Sequence, residues 1–361
     1  TVALVALARP TFDLACAQGN FDSARALLQE LGATVVGPAE LVMTVDDVAA
    51  VTLPEADLHI LFMASFSDAS PAVELLGSVK GPILGWSMRE PGEVGERLKL
   101  NSMCGVNLAA HALMDAGQSI RHIHGNANEP HVRAAIADAL NGTLPAATTP
   151  AQINAERAPQ SVADEAFEWL KGKKVGAVGE APVGFTPCLF DGPKLNSLFG
   201  LDVRQISIDN AFERISKVEP ERADKAYASA LADQPSLGDV NVEQAKKVYG
   251  VEVALDDWRE EDALDAIAIR CWPEFPTDLG ACICSSLGRL SDRGTVTTCE
   301  RDVLGAVTML VCEALGSDEN YLVDIVDLVE KEGLLRLWHC GSAATKLAAD
   351  PQSATQYIHC N

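Results

Sequence analysis

Short apolar runs alternate with amphipathic segments along nearly all of this 361-residue chain, and that alternation constrains the fold more than any motif does. Val2 to Ala8 is an uninterrupted apolar run, and the spacing that follows predicts a helix over Phe12 to Leu31. Further strands are expected at Ala33 to Gly37, Leu58 to Ala64, Pro82 to Trp86 and Arg121 to His124. Helices are expected at Ala72 to Val79, Asn107 to Ala116 and His131 to Leu140. A strand buried on both faces needs no polar alternation, so continuous apolar strands separated by helices indicate a parallel sheet covered on both sides. Ligands of such sheets gather at the carboxyl ends of the strands.

Between Asn141 and Gln160 the sequence NGTLPAATTPAQINAERAPQ is rich in Pro, Ala and Thr and marks a boundary. A second alternation follows, with strands at Lys174 to Val178, Val203 to Ile208, Ala266 to Cys271 and Thr295 to Thr298. Helical spacing covers Arg222 to Ala232, Val242 to Tyr249, Leu279 to Leu290 and Asp302 to Leu315. Two apolar runs, Tyr321 to Val329 and Leu334 to Trp338, flank EKEG and read as a hairpin. The expected fold is α/β, with two consecutive doubly wound parallel-sheet domains at residues 1–145 and 166–345. A linker at 146–165 separates them, and 346–361 remains outside both.

A net charge of −23 without a basic run argues against binding to a nucleic-acid backbone and reads as solubility or a saline habitat. No apolar stretch reaches the length of a membrane span, and TVALVALARP lacks the basic region of a cleavable signal. Ten cysteines, scattered without disulfide-type spacing, read as reduced thiols of a cytoplasmic protein. GEAPVGF (residues 179–185) follows a strand but lacks the G-x-G-x-x-G spacing of dinucleotide binding, and neither a G-x-S-x-G elbow nor a P-loop is present.

Chemistry concentrates late in the chain. In TVTTCERDVLGAVTMLVCEAL (295–315), Val303, Leu304, Val307, Leu310 and Val311 share a helical face, so Glu300 falls between a strand's carboxyl end and a helix start. A display position for a functional side chain and a favourable placement near a helix N-terminus both fit there. Asp324 lies within Leu-Val-Asp-Ile-Val, where a carboxylate needs a partner or a metal, and Asp327 competes for the same role. His339 and Cys340 follow a strand, as site residues or as part of a hydrogen-bonded core. Cys271, Cys282, Cys284 and Cys299 match no common structural zinc spacing. Arg9, after the first strand, is placed to meet an anionic or hydroxyl-rich ligand or to satisfy helix-end carbonyls.

Taken in order, several segments resemble the L-fucose isomerase and L-arabinose isomerase superfamily, especially its short L-fucose isomerase-like branch, which includes sulfoquinovose isomerases. They are ARPTFD (8–13), FMASFSDAS (62–70), GWSMREPG (85–92), NSMCGVNLAAH (101–111), GEAPVGF, RCWPEFPTDLGAC (270–282), TCERDVLGAVTML (298–310) and WHCG (338–341). The resemblance implies a metal-dependent aldose–ketose isomerase that works through an ene-diolate on an L-fucose- or D-arabinose-like sugar or on sulfoquinovose. It implies Mn²⁺, with other divalent cations as substitutes, held by Glu300 and Asp324. Glu300 would act as base and Asp324 as partner acid. Arg9, Trp272, Glu274 and His339 would contact the sugar, and the protein would be a homo-oligomer, trimeric or hexameric. The family's third ligand is a His in a C-terminal β-rich domain, expected beyond Asn361, so that domain is missing or only begun here, with 346–361 as its truncated start. His359 is an open substitute. An incomplete relative serving as a sugar-binding or assembly subunit is the alternative, and a periplasmic sugar-binding protein a more distant one.

Overall fold

The structure is a computed structural model that describes residues 1–93, 95–147, 159–329, 332–339 and 342–353. Eleven strands occur among them. The first five are β1 (Val2–Leu7), β2 (Val35–Val36), β3 (Leu58–Met63), β4 (Ile83–Ser87) and β5 (Ile120–His124). They form one parallel sheet in the order β2-β1-β3-β4-β5. Alternate residues of each strand enter opposite cores, which explains the unbroken apolar runs. Leu4, Ile60, Phe62 and Trp86 meet Phe21, Leu28 and Ile136 from helices Leu14–Glu30 and Pro130–Leu140 on one face. Val5, Leu61 and Met63 meet Leu76, Val106 and Leu113 from helices Ser70–Leu76 and Ser102–Asp115 on the other.

The second sheet is built from β6 (Lys174–Val178), β7 (Asp202–Ile206), β8 (Ala266–Ile269) and β9 (Val296–Thr298), all parallel, in the order β7-β6-β8-β9. Val178, Ile267 and Ile269 pack on Val251, Leu255 and Trp258 of helix Val242–Asp262. On the other face Val175, Ala177 and Val296 pack on Leu195 and on Val303, Val307 and Leu310 of helix Val303–Ala314. The chain then forms an antiparallel hairpin of β10 (Asp324–Val329) and β11 (Leu334–Trp338). Two doubly wound α/β sheets are therefore present, as the alternation requires.

Local boundaries differ from the expectation in several places, among them a helix at Ser102–Asp115 that starts five residues before the expected one and unexpected helices at Val45–Ala49, Gly192–Phe199 and Ile208–Ser216. The helix expected over Leu279 to Leu290 begins only at Cys284 and runs to Asp292, after a π-helical turn at Phe275–Leu279. Gly280, in the left-handed region at φ 76°, ends that turn. The helix expected to stop at Tyr249 runs through Gly250 to Asp262, because Val251, Leu255 and Trp258 supply tertiary burial that outweighs the weak propensity of one glycine. The helix Gln160–Leu170 begins in the last part of the expected linker and runs into the second domain, and residues 148–158 and 354–361, with His359, lie outside the described residues.

The two sheets meet through an apolar cluster. Phe66, Ala69, Leu108 and Ala112 of the first domain pack on Phe185 and Cys188 of the second. Gly184 sits at φ 76°, and a Cβ there would lie 2.5 Å from Asp68 Oδ1 and 2.9 Å from the Ala69 nitrogen. Gly184 of GEAPVGF thus serves a close approach between domains, while Gly179, at φ 74°, faces Arg270 of its own domain.

Candidate functional site

A cavity of about 330 Å³ opens where the carboxyl ends of the two sheets face each other. The first domain contributes Arg9 after β1, Phe66 after β3, and Arg97, Asn101 and Cys104 from the segment after β4. The second contributes Trp272 after β8, Glu300 after β9, Asp324 at the start of β10, and Trp338 and His339 at the end of β11. Glu300 and Asp324 therefore line one cavity. Both charges act on the thiol of Cys104, which burial pushes far above its ordinary pKa; the two carboxylates and a hydrogen bond with Asp324 add to that effect.

Glu300 owes its display to an unusual backbone. Both Glu300 and Arg301 lie in the left-handed region, at φ 58° and 57°. Side chains other than glycine rarely occupy it, and residues held there cluster at functional sites. The helix that follows is capped by Asp302, whose carboxylate accepts from the Gly305 nitrogen at 2.7 Å. Asp302, rather than Glu300, thus fills the capping role next to the helix start. Arg301 is buried; its backbone nitrogen donates to the Ile269 carbonyl of β8 and its guanidinium to Gln205 Oε1 of β7, which anchors the turn to both strands.

Asp324 is held from across the domain boundary. Asn101 Nδ2 donates to Asp324 Oδ2 at 2.9 Å. Asp327, the competing carboxylate, lies elsewhere: it is buried against His124 Nε2 at 2.6 Å and Arg89 Nη1 at 3.2 Å, away from the cavity wall. That separates the roles of the two aspartates.

Arg9 stacks its guanidinium 4.1 Å from the Trp272 ring centroid and 5.8 Å from that of Phe66. Burial pulls its pKa down, while the charges of Asp68 and Glu300 act in the opposite sense. Arg9, Trp272 and His339 are brought together with the two carboxylates. Glu274 is not: Arg270 holds its carboxylate, with Nε to Oε2 at 2.9 Å, outside the cavity wall. His339 Nε2 lies 3.1 Å from Cys299 Sγ. Cys271, Cys282 and Cys284 line the cavity.

Among the described residues no group of three or more His, Cys, Asp or Glu side chains converges to hold a metal ion. The donor chemistry nonetheless suits a hard divalent cation, with two carboxylates in one cavity. Beside them the amide oxygen of Asn101 is buried and has no partner among the described residues. Asn101, Arg97, Cys104 and Trp338 carry no role in the sequence reading. Asn101 was not readable as a helix-preceding asparagine, because the helix was expected to start at Asn107 and instead starts at Ser102.

Among proteins of known function, the chain is similar to sulfoquinovose isomerases. It is 30% identical to that of Alkalicoccus urumqiensis, over all of this chain and 77% of the relative. It is 30% identical to that of a Clostridium species over all of this chain and 76% of the relative. The identity to that of Priestia megaterium is 29%, again over all of this chain and 77% of the relative. No protein-family model matches. Among the described residues no helix is long and apolar enough to cross a membrane.

Proposed function

The chain belongs to the family of sulfoquinovose isomerases, within the L-fucose isomerase-like group, and we propose that it is a divalent-metal-dependent isomerase interconverting sulfoquinovose and its 2-ketose. The observation that carries this reading is the convergence of Glu300 and Asp324, from different elements, on one interdomain cavity that also holds two arginines. In a chain of net charge −23, Arg9 and Arg97 in one cavity suit an anionic sugar, because a guanidinium pairs with a sulfonate through parallel N–H donors. Trp272 and Trp338 offer flat apolar faces to the C–H side of a pyranose or open-chain sugar.

The reaction moves one proton from C2 to C1 and shifts the carbonyl the other way. A Mn²⁺ or similar cation held by Glu300 and Asp324 would polarise the adjacent sugar oxygens and stabilise the negative charge that develops on them. The Glu300 carboxylate takes the C2 proton; the freed electron pair becomes the C1–C2 double bond of an ene-diolate as O1 gains charge. The same carboxylate returns the proton to C1, while O1 gains a proton and O2 releases one beside Asp324. Arg9, anchored on Trp272, holds the sugar's anionic end and keeps the carbon chain in line with Glu300. A trimeric or hexameric assembly accompanies this reading. Leu334, Leu335 and Leu337 on β11 are exposed apolar side chains that a neighbouring subunit would cover.

An isomerase assay over sulfoquinovose, L-fucose, D-arabinose and glucose, with Mn²⁺ and after chelation, tests the proposal. Turnover of sulfoquinovose is expected with Mn²⁺, with a loss of 10³-fold or more in Glu300→Gln, the scale of removing a general base together with an electrostatic anchor. Activity that survives both chelation and Glu300→Gln refutes it.

A further inference from the structure

Asn101 combines three properties that helix initiation alone does not require. It lies in the left-handed region, at φ 48° and ψ 37°, yet its side chain makes no capping bond to the helix it precedes. It is only 5% exposed. Its amide is also used on one side only: Nδ2 donates to Asp324 Oδ2, while Oδ1 has no partner among the described residues and the residue lines the cavity. A buried carbonyl oxygen without a donor is costly, and such groups call for an explanation.

The strained conformation is imposed from behind. The buried carboxylate of Glu90 accepts from three consecutive backbone nitrogens, Lys99 at 2.6 Å, Leu100 at 3.2 Å and Asn101 at 2.7 Å. Arg336 of β11 ties the same loop down by donating to the carbonyls of Glu90, Gly92 and Glu93. The loop is thus fixed by a buried acid before any ligand arrives. With the NH₂ end committed to a carboxylate, which only accepts, the orientation of the amide is determined. The end left over is an acceptor, so what completes it is a donor.

We infer that Asn101 is a two-ended positioning residue: its NH₂ group orients Asp324 across the domain boundary, and its carbonyl oxygen receives a hydroxyl of the sugar in the cavity. The inference rests on the isomerase reading for the identity of the ligand. It assigns to the first domain a direct part in the alignment of a second-domain carboxylate, and it accounts for a buried acceptor that stays costly until a polyol binds.

Two variants test it. Asn101→Gly accepts the left-handed backbone without strain and deletes both ends of the amide. Asn101→Asp keeps the shape and an oxygen acceptor but loses the donor to Asp324. Mn²⁺ affinity is measured by calorimetry on sugar-free protein, KM and kcat by the isomerase assay, and folding by thermal melting. For Asn101→Gly, KM for sulfoquinovose rises about tenfold and Mn²⁺ binds about tenfold more weakly, the scale of one lost hydrogen bond each, with an unchanged melting temperature. For Asn101→Asp, KM stays within about threefold of wild type while kcat falls, because an oxygen acceptor remains and Asp324 is misaligned. An unchanged KM or an unchanged Mn²⁺ affinity in folded Asn101→Gly overturns the inference. A wild-type protein that does not turn over sulfoquinovose defeats the substrate reading before any variant is compared. The same KM comparison then decides the role of Asn101 on whichever panel sugar the wild type accepts.

Discussion

Glu300 and Arg301 occupy a region of backbone space that costs an L-residue roughly 1–2 kcal/mol each. Residues held at such a cost cluster at functional sites, which supports the metal-binding role proposed for Glu300. This leads to a prediction in which stability and function move in opposite directions. Glu300→Gly removes the strain, so its midpoint in urea unfolding should be no lower than that of wild type, with a gain of up to about 1 kcal/mol, while Mn²⁺ binding and turnover disappear. A clear drop in the midpoint would mean that the side chain stabilises the fold, and the functional assignment would lose its backbone argument. The position of Glu300, between a strand end and a helix start, was readable by period, while its role was implied only by the family resemblance. Asn101 was not readable in that way: its importance arises from a 223-residue separation to Asp324, and no local spacing encodes such a pairing.

The hairpin β10–β11 is the element that carries this alignment. In a regular strand residues 324 and 327 would face opposite sides, since side chains alternate. A register shift between Ile325 and Asp327 re-aims them, so Asp324 reaches Asn101 and Asp327 reaches His124 and Arg89, both in the first domain. Burial by itself would raise the pKa of Asp327, but the hydrogen bond and charge of His124 together with the bond from Arg89 outweigh it and hold the carboxyl below its ordinary value. A depressed folded-state pKa contributes stability that is present above the unfolded value of about 3.9 and is lost as pH falls through the folded one. Urea midpoints measured from pH 6 to pH 3 should therefore decline below about pH 4. Asp327→Asn should be less stable at pH 7 by roughly 2–4 kcal/mol, from the lost ionic hydrogen bonds to His124 and Arg89, and should show a shallower acid decline. An unaltered slope in that variant would remove Asp327 from the account. The sequence identified the hairpin from two apolar runs around EKEG, and the bulge was hidden because nothing in DIVDLV distinguishes a shifted register from a regular one. The late helix start at Cys284 was missed for a related reason: Leu279 to Leu290 keeps a helical period, while the left-handed backbone at Gly280 breaks the chain of hydrogen bonds that the period presumes.

At the scale of the molecule, both sheets point their carboxyl ends at one cavity, and neither domain holds the whole site. Asp324 and Glu300 belong to the second domain, and Arg9 and Asn101 to the first. The domains are joined beside the cavity by Phe66, Leu108, Phe185 and Trp272, and by His111 Nδ1 at 2.7 Å from Thr186 Oγ1. A ligand that binds only the assembled cavity stabilises the docked arrangement by mass action, by about 2.7 kcal/mol at a hundredfold excess over its Kd. For a chain of two domains this size, each kcal/mol shifts the melting temperature by about 2–4 °C, so saturating Mn²⁺ should raise it by roughly 5–10 °C. Glu300→Gln and Asp324→Asn should each abolish most of that shift, because two carboxylates that share one cation fail together. Asp327→Asn should lower the metal-free melting temperature and yet keep a Mn²⁺ shift, since its carboxylate serves the docking of β10 rather than the cation. Differential scanning fluorimetry of the four proteins with and without Mn²⁺ separates these cases. A full shift retained in either Glu300→Gln or Asp324→Asn would place the cation elsewhere in the molecule, and the interdomain cavity would then need another occupant.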